Sequence, residues 1–485
     1  MTFVFLCSMI PSIINLFYIK VLHPMSHSVT REDIVNGPVL KSILRFAFPL
    51  MLTNFLSNIF SAVDTIVVGK YAGSEALAAV GATGSLIFMV SSLFNGLSMG
   101  AGVVVGQMIG RGNESRAKET VETAFIMASG SGIFLSVMGL LFSKFMLRLV
   151  STPENIIDQS ALYMRIYLGA SIFMLVYNFG AAILRAKGDT LRPLYFMIAS
   201  GLTNVILNLV FVVGLHMGTA GVAFATLISQ AVSAILVTYS LVTTKDITQL
   251  DLKRMRFNKH TAVEILRIGI PSGIQSMMFS VSNVVMQSSI NSFNSSDIIA
   301  GNTAGSNLEN FCYIAMMAFT QACVSFTSQN YGARKYEKLR KIMYQSLALV
   351  VIGSLAVSGV IWAFHKPLLS LYTSDPEVIR IGTLRVIYVI LPLFLNGVLD
   401  IFAGSLRGMG KSTLPMMTMV FGICGVRLAW LWGFFPTHRS LEVIYMSYPL
   451  SWFITSVFEY ILWLYVYKKI VLPHQNIQID NEPWQ

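Results

Sequence analysis

Charge is what this sequence has least of. Only 12% of its 485 residues are Asp, Glu, Lys or Arg, about half the share of a soluble domain. That scarcity excludes a separate soluble domain of any size. With 54% hydrophobic residues and a mean hydropathy of +0.66, the chain reads as an integral membrane protein. Cysteine is scarce as well: Cys7, Cys312, Cys323 and Cys424 stand in apolar surroundings without C-x-x-C spacing. Such residues are small packed hydrophobes rather than a disulfide framework or a metal site. The seven histidines are scattered and no H-E-x-x-H occurs, so no zinc ligand set is present. There is no G-x-x-x-x-G-K-[ST] to cradle ATP. Enzymatic chemistry therefore has no support, and no cofactor is implied. The net charge of +11 does not signal nucleic acid either, because the basic residues sit in short loops between apolar runs.

What is present is a series of twelve such runs, at roughly 43–69, 76–107, 119–142, 158–185, 192–214, 219–242, 263–294, 297–330, 340–364, 377–406, 413–434 and 447–467. Each is long enough to cross a bilayer, which takes about 20 apolar residues. Residues 1–42 read as an amino-terminal extension. Its apolar opening at 1–24, broken by Pro11, lacks the basic lead of a cleaved signal peptide. It is either an extra membrane-associated segment or sequence ahead of a start at Met25, and the complete polar lead-in that follows Met25 favours the second. A polar linker at 243–262 separates a first lobe, 43–242, from a second, 263–468, and 469–485 form a tail. With the amino-terminus inside, twenty-four Lys and Arg fall in inside segments against six outside. By the positive-inside rule both termini are cytoplasmic.

The two sixes are copies. Ile43-Leu44-Arg45 with Pro49 recurs as Ile265-Leu266-Arg267 with Pro271. Gln107 and Gly110 recur as Gln329 and Gly332, and Leu184-Arg185, Gly188, Thr190 and Pro193 as Leu406-Arg407, Gly410, Ser412 and Pro415. All three motifs keep one register, which marks a duplication. Six spans per copy is an even number, so both halves keep the same orientation. The expected fold is all-α and polytopic: two parallel six-helix repeats about a pseudo-two-fold axis along the membrane normal, with a cleft between the lobes.

From Phe46 to Gly69 the first run carries one charge, Asp64. At ~100° per residue, Asn54, Ser57, Asn58, Ser61, Asp64 and Thr65 share an arc of roughly 120°. A polar stripe ending in a carboxylate faces a cavity or a partner helix rather than lipid. One reading makes the stripe helix-to-helix glue, and the other makes Asp64 line a transport cavity. The second lobe has buried charges of its own in Glu309, Asp400 and Arg427. One cation among two anions suggests a compensated cluster, either structural or engaged with substrate or coupling ion. Glu459 is placed near the edge of the last run. The Q-x-x-G pairs read as helix C-caps or as hinges of an inner gate, and the LR-x-x-G-x-[TS]-x-x-P segments as turns. Abundant Met (26) and Phe (32), with pairs such as Met277-Met278 and Met316-Met317, suit a soft pocket for varied amphipathic cations. For most of these residues plain lipid-facing bulk is the simpler account.

The twelve runs in two parallel sixes, the paired prolines, the Q-x-x-G loops and the LR-x-x-G-x-T-x-x-P loops resemble the multidrug and toxin extrusion (MATE) family, in its prokaryotic DinF-like branch, from about Ile43 to Lys468. The resemblance implies a secondary exporter of cationic or amphipathic small molecules in a bacterial inner membrane, working by alternating access and expected as a monomer. It implies that Asp64 binds the coupling ion, with Pro49 as the hinge of the first helix and Asn204 and Thr226 beside the carboxylate. Where the family has a second aspartate, four residues after the asparagine, this chain has Asn208. A single carboxylate suffices for H+, while Na+ wants more oxygen ligands, so proton coupling is expected and Na+ is the alternative. The NorM-like branch uses a glutamate in helix 7 and an aspartate in helix 10, and helix 7 of this chain offers only Gln275 and Ser276. The substrate cavity is expected to draw on Asn54, Asn58, Ser61, Gln275, Glu309, Asp400 and Arg427. The alternatives are a flippase of lipid-linked saccharides, argued against by the twelve spans and by Arg427 as the one mid-membrane base, and a non-transporting receptor or channel.

Overall fold

The computed structural model describes residues 29–150 and 152–471, together with Pro473. The apolar opening at 1–24, the start at Met25 and most of the tail lie outside the described residues. In lipid only a structure that satisfies every backbone group internally can span, and the described residues form helices with no strand. We number the long ones α1 (Val39–Ala72), α2 (Ser74–Arg111), α3 (Glu114–Leu149), α4 (the pair Glu154–Gly169 and Ser171–Lys187), α5 (Leu191–Gly214), α6 (Gly218–Thr243), α7 (Lys259–Asn291), α8 (Ser296–Gly332), α9 (Tyr336–Ala363), α10 (Pro376–Gly408), α11 (Thr413–Gly433) and α12 (Leu441–Lys469). Ten of these are long and apolar enough to cross a membrane, and α4, bent by 44° at its break, makes an eleventh. The 33-residue α7 is too polar to qualify by composition and completes the twelve by its place in the repeat.

The duplication is visible in hydrogen bonds. At the end of α4, Gly188 N–H donates to Arg185 O (2.9 Å) and Asp189 N–H to Leu184 O (2.9 Å). At the end of α10, Gly410 N–H donates to Arg407 O (2.8 Å) and Lys411 N–H to Leu406 O (2.9 Å). Gly188 at φ 107° and Gly410 at φ 81° supply the left-handed residue that this cap requires. Pro49 and Pro271 both lie inside their helices, α1 and α7, where each removes one backbone hydrogen bond.

The lobes meet backbone to backbone. A Cβ on Gly96 of α2 would stand 2.3 Å from Gly273 N of α7, and one on Gly269 would stand 2.6 Å from Leu97 Cα. Small residues four apart on both helices permit that approach. Further along, the Q-x-x-G segments cross. A Cβ on Gly110 would lie 2.0 Å from Gln329 O, and one on Gly332 would lie 2.1 Å from Gln107 O. The C-cap expectation for Gly110 is thus corrected: the left-handed cap of α2 is Gly112 (φ 70°), and Gly110 is a helix-crossing point. Gln107 Nε2 donates to Gly408 O (3.0 Å), and Gln329 Nε2 to Ala186 O (2.6 Å). Each lobe's glutamine therefore holds the other lobe's LR-x-x-G turn. In the other half of α2, Gly81 and Gly84 face open space.

A short helix, Arg31–Val35, lies over this crossing, started by a reciprocal Thr30–Asp33 capping box. Arg31 Nη2 donates to Gly110 O of the first lobe (2.9 Å), and Asn330 Nδ2 of the second donates to Ile34 O (3.1 Å).

The crossing leaves no room for one extra methyl group. In a cysteine-free background carrying Ser328→Cys, a position buried beside Gly106, Gly110→Ala is expected to speed maleimide labelling by an order of magnitude. Unchanged protection would mean that the lobes adjust without separating.

Candidate functional site

Two separate polar centres lie within the bundle. In the first lobe, Gly201 of α5 lets that helix close on α1, since a Cβ there would lie 2.0 Å from the Phe60 ring. One and two turns later α5 presents Asn204 and Asn208, buried at 6% and 0% exposure. Asn208 Nδ2 donates to Asp64 Oδ1 and also to Asn204 Oδ1 (3.2 Å). Asn208 Oδ1 is buried without a partner. Both helices turn π-helical just beyond the site, at Val68–Ala72 and Leu209–Gly214, a distortion that often accompanies functional positions. Thr226 spends its hydroxyl on Val222 O of its own helix (3.0 Å), and no hydrogen bond joins it to Asp64. Asn58 and Ser61 are exposed and Asn54 half-buried, and none of the three lines the cavity of the second lobe.

That cavity, of about 430 Å³, lies chiefly among α7, α8, α10 and α11. Amide and hydroxyl groups such as Gln275, Asn283, Asn310 and Gln321 alternate around it with Met278, Met317, Phe279 and Tyr313. Of the expected cavity residues, Gln275, Glu309 and Asp400 are brought together here. Arg427 stands behind them at 1% exposure, its guanidinium 4.2 Å from the centre of the Tyr448 ring.

The expected charge cluster is rearranged. Arg427 pairs with neither Glu309 nor Asp400: it donates to Ser451 Oγ (3.2 Å), Ser282 Oγ (3.3 Å) and Asn283 Oδ1 (3.2 Å), and its Nη2 has no partner. The partner of Glu309 is Arg385, which donates to Oε2 from Nη2 (2.7 Å) and Nε (3.2 Å). Its Nη1 reaches Asn302 Oδ1, which also accepts from Tyr445 (3.1 Å). Gly305 makes room for the arginine stem, since a Cβ there would meet Arg385 Cδ at 2.9 Å. Arg427 is therefore not the single buried base within the spans, for Arg385 is buried in α10 as well. Glu459 is not at an edge: it is fully buried on α12, hydrogen-bonded by Thr418 Oγ1, with Oε2 unpartnered. Arg385 was in plain sight as a charge inside an apolar run, a signal that points to a buried pair.

A lone carboxylate held by an amide in one lobe, and an amide-lined cavity in the other, define a two-repeat helical membrane protein of the kind that moves solutes. The chain belongs to the MatE family, whose pattern matches residues 49–210 and again 271–432. It is 28% identical over 442 residues to the probable multidrug resistance protein YoeA of Bacillus subtilis, covering 89% of this chain and 95% of that one. It is 26% identical over 411 residues to a protein of Shewanella oneidensis named FAD transporter, covering 83% and 88%. A solved structure described as the outward-facing conformation of a multidrug resistance MATE family transporter superposes with a TM-score of 0.84 at 20% identity, over 91% of this chain and 99% of that one. That likeness concerns the fold.

Removing one member of a buried ion pair costs roughly 3–5 kcal/mol, whereas replacing both by apolar groups is often near neutral. Arg385→Met is thus expected to lower the thermal stability of the purified protein sharply, and Arg385→Met with Glu309→Met much less. A cycle between Arg427 and Glu309 should show little coupling.

Proposed function

We propose that the protein is a secondary active multidrug exporter, antiporting cationic and amphipathic compounds against protons by alternating access. The observation that carries the reading is the separation of the two centres: an ion-sized site at Asp64 in one lobe and a cargo-sized cavity in the other. Loading Asp64 from one side of the membrane changes the packing of α1 on α5. Pro49, one hydrogen bond short in α1, lets the helix bend there. The change reaches the second lobe through α8, on which α1 packs by the edge-to-face pair Phe46–Phe326. Loop charge puts the glutamine crossing on the cytoplasmic side of a bacterial plasma membrane, with both termini inside and the cleft closed inward. A monomer holds both centres.

Proton coupling is favoured by how the amide is presented. Asn208 turns its N–H to Asp64, which suits a carboxylate and repels a cation. After protonation its partnerless Oδ1 offers the acid an acceptor if the amide turns over. A sodium site would need oxygens of Asn204, Asn208 and Thr226, or backbone carbonyls in their place, turned to the ion.

The amide-rich lining favours a second reading, in which the cargo is a strongly hydrogen-bonding solute rather than a simple lipophilic cation. The relative named FAD transporter is in keeping with it.

In sodium-free inverted vesicles an imposed pH gradient should drive dye transport. Asp64→Asn should abolish that transport while the protein still folds and reaches the membrane. Transport that needs a sodium gradient and ignores pH would overturn proton coupling, and wild-type rates in Asp64→Asn would move coupling out of the first lobe.

A further inference from the structure

Arg407 is unspent. It is 5% exposed and lines the second-lobe cavity. Its Nε donates to Ala403 O (3.3 Å) on its own helix, and its Nη1 to Met99 Sδ (3.2 Å) of the first lobe. No carboxylate among the described residues lies within 4.0 Å of it. A thioether is a weak acceptor for a guanidinium that burial has stripped of water. The nearby acids are otherwise placed: Glu309 is paired with Arg385, and Glu459 is hydrogen-bonded by Thr418 outside the cavity lining. Asp400 lies two turns earlier on the same face of α10, its backbone about 10 Å away along the axis, and the Arg407 side chain folds back along the helix toward it. It lines the cavity too, and it takes part in no hydrogen bond or ion pair with another described residue. Between them, Thr320 Oγ1 is buried without a partner where α8 packs on Gly404.

One face of α10 thus offers an acid and a base that attract each other across the cavity wall without forming an ion pair. We propose that Arg407 anchors the acidic end of zwitterionic cargo whose cationic end lies against Asp400, the substrate class being amphiphiles with a carboxylate or phosphate within roughly 10 Å of an amine. The assignment of the cationic end rests on the export reading; that of the acidic end rests on Arg407 itself. Cargo displaces the flexible Met99 thioether from Nη1 and so touches both lobes at once.

The test is binding to the purified full chain in nanodiscs, read by fluorescence anisotropy with two dyes. Rhodamine B carries a carboxylate and a cation, and its ethyl ester carries the cation alone. Arg407→Gln is expected to weaken rhodamine B about tenfold more than the ester, and Arg407→Lys to restore most of the difference. Met99→Leu, which leaves the guanidinium intact and removes its competing partner, should tighten rhodamine B relative to the ester even if Arg407→Gln does not fold. Equal effects of these variants on both dyes would overturn the role of Arg407 and leave export standing. A wild-type protein that binds neither dye would overturn both.

Discussion

Everything in this molecule depends on two lobes being able to touch main chain to main chain. The contact of α2 with α7 and α8 is made where side chains are missing, at Gly96, Gly110, Gly269, Gly273 and Gly332. In a membrane the apolar effect does not press helices together, so close packing and hydrogen bonds must. Here they coincide, because the glycines bring the helices near enough for Gln107 and Gln329 to reach carbonyls of the opposite lobe. Such a contact is strong but brittle. It has no long side chains to stretch as the lobes part, so it is made or broken as a unit, which suits a protein with two working states.

Buried charge is the second constraint, and it is handled differently in each lobe. In the middle of the bundle the first keeps the carboxylate of Asp64 among neutral amides, its buried Asp189 being paired with Arg192 at the turn before α5, so a single small ion changes the charge of that site completely. The second distributes three arginines and three acids among a pair, an aromatic cage and unpaired positions. A net reserve of unsatisfied groups is costly in an apolar medium. It is retained along a cavity that a solute can enter.

Much of the architecture was legible from the chain. Twelve runs, the loop charges and the repeated Pro49/Pro271, Gln107/Gln329 and Gly188/Gly410 pairs are enough to expect two parallel sixes, because repetition and hydropathy are properties of the residues themselves. What could not be read is where side chains point after a helix changes pitch. Asn208 precedes the π turn Leu209–Gly214, Arg385 precedes Val386–Ile390, and Arg427 follows Val420–Gly425. A straight 3.6-residue period misdirects residues at such places, whereas the expected cluster of Glu309, Asp400 and Arg427 fails because a further charge in the apolar runs, Arg385, is the partner of Glu309. The stripe at Asn54, Asn58 and Ser61 failed in the opposite way: its periodicity is real, yet periodicity does not say whether a polar face meets a cavity, a helix or open space.

The short helix Arg31–Val35 bears on how the protein is made. Ile34 is completely buried, and Ile34, Asn36 and Gly37 receive hydrogen bonds from Asn330, Lys335 and Lys338, 296 to 301 residues later in the chain. At a ribosomal speed of about 5–20 residues per second, those partners emerge roughly 15–60 s after it does. Until then the segment has only the first-lobe half of its seat, the Arg31 hydrogen bond to Gly110 O and the packing of Val29 and Ile34 against Gly188. The short helix therefore settles fully only after its neighbours in sequence, and its docking marks the arrival of the end of α8.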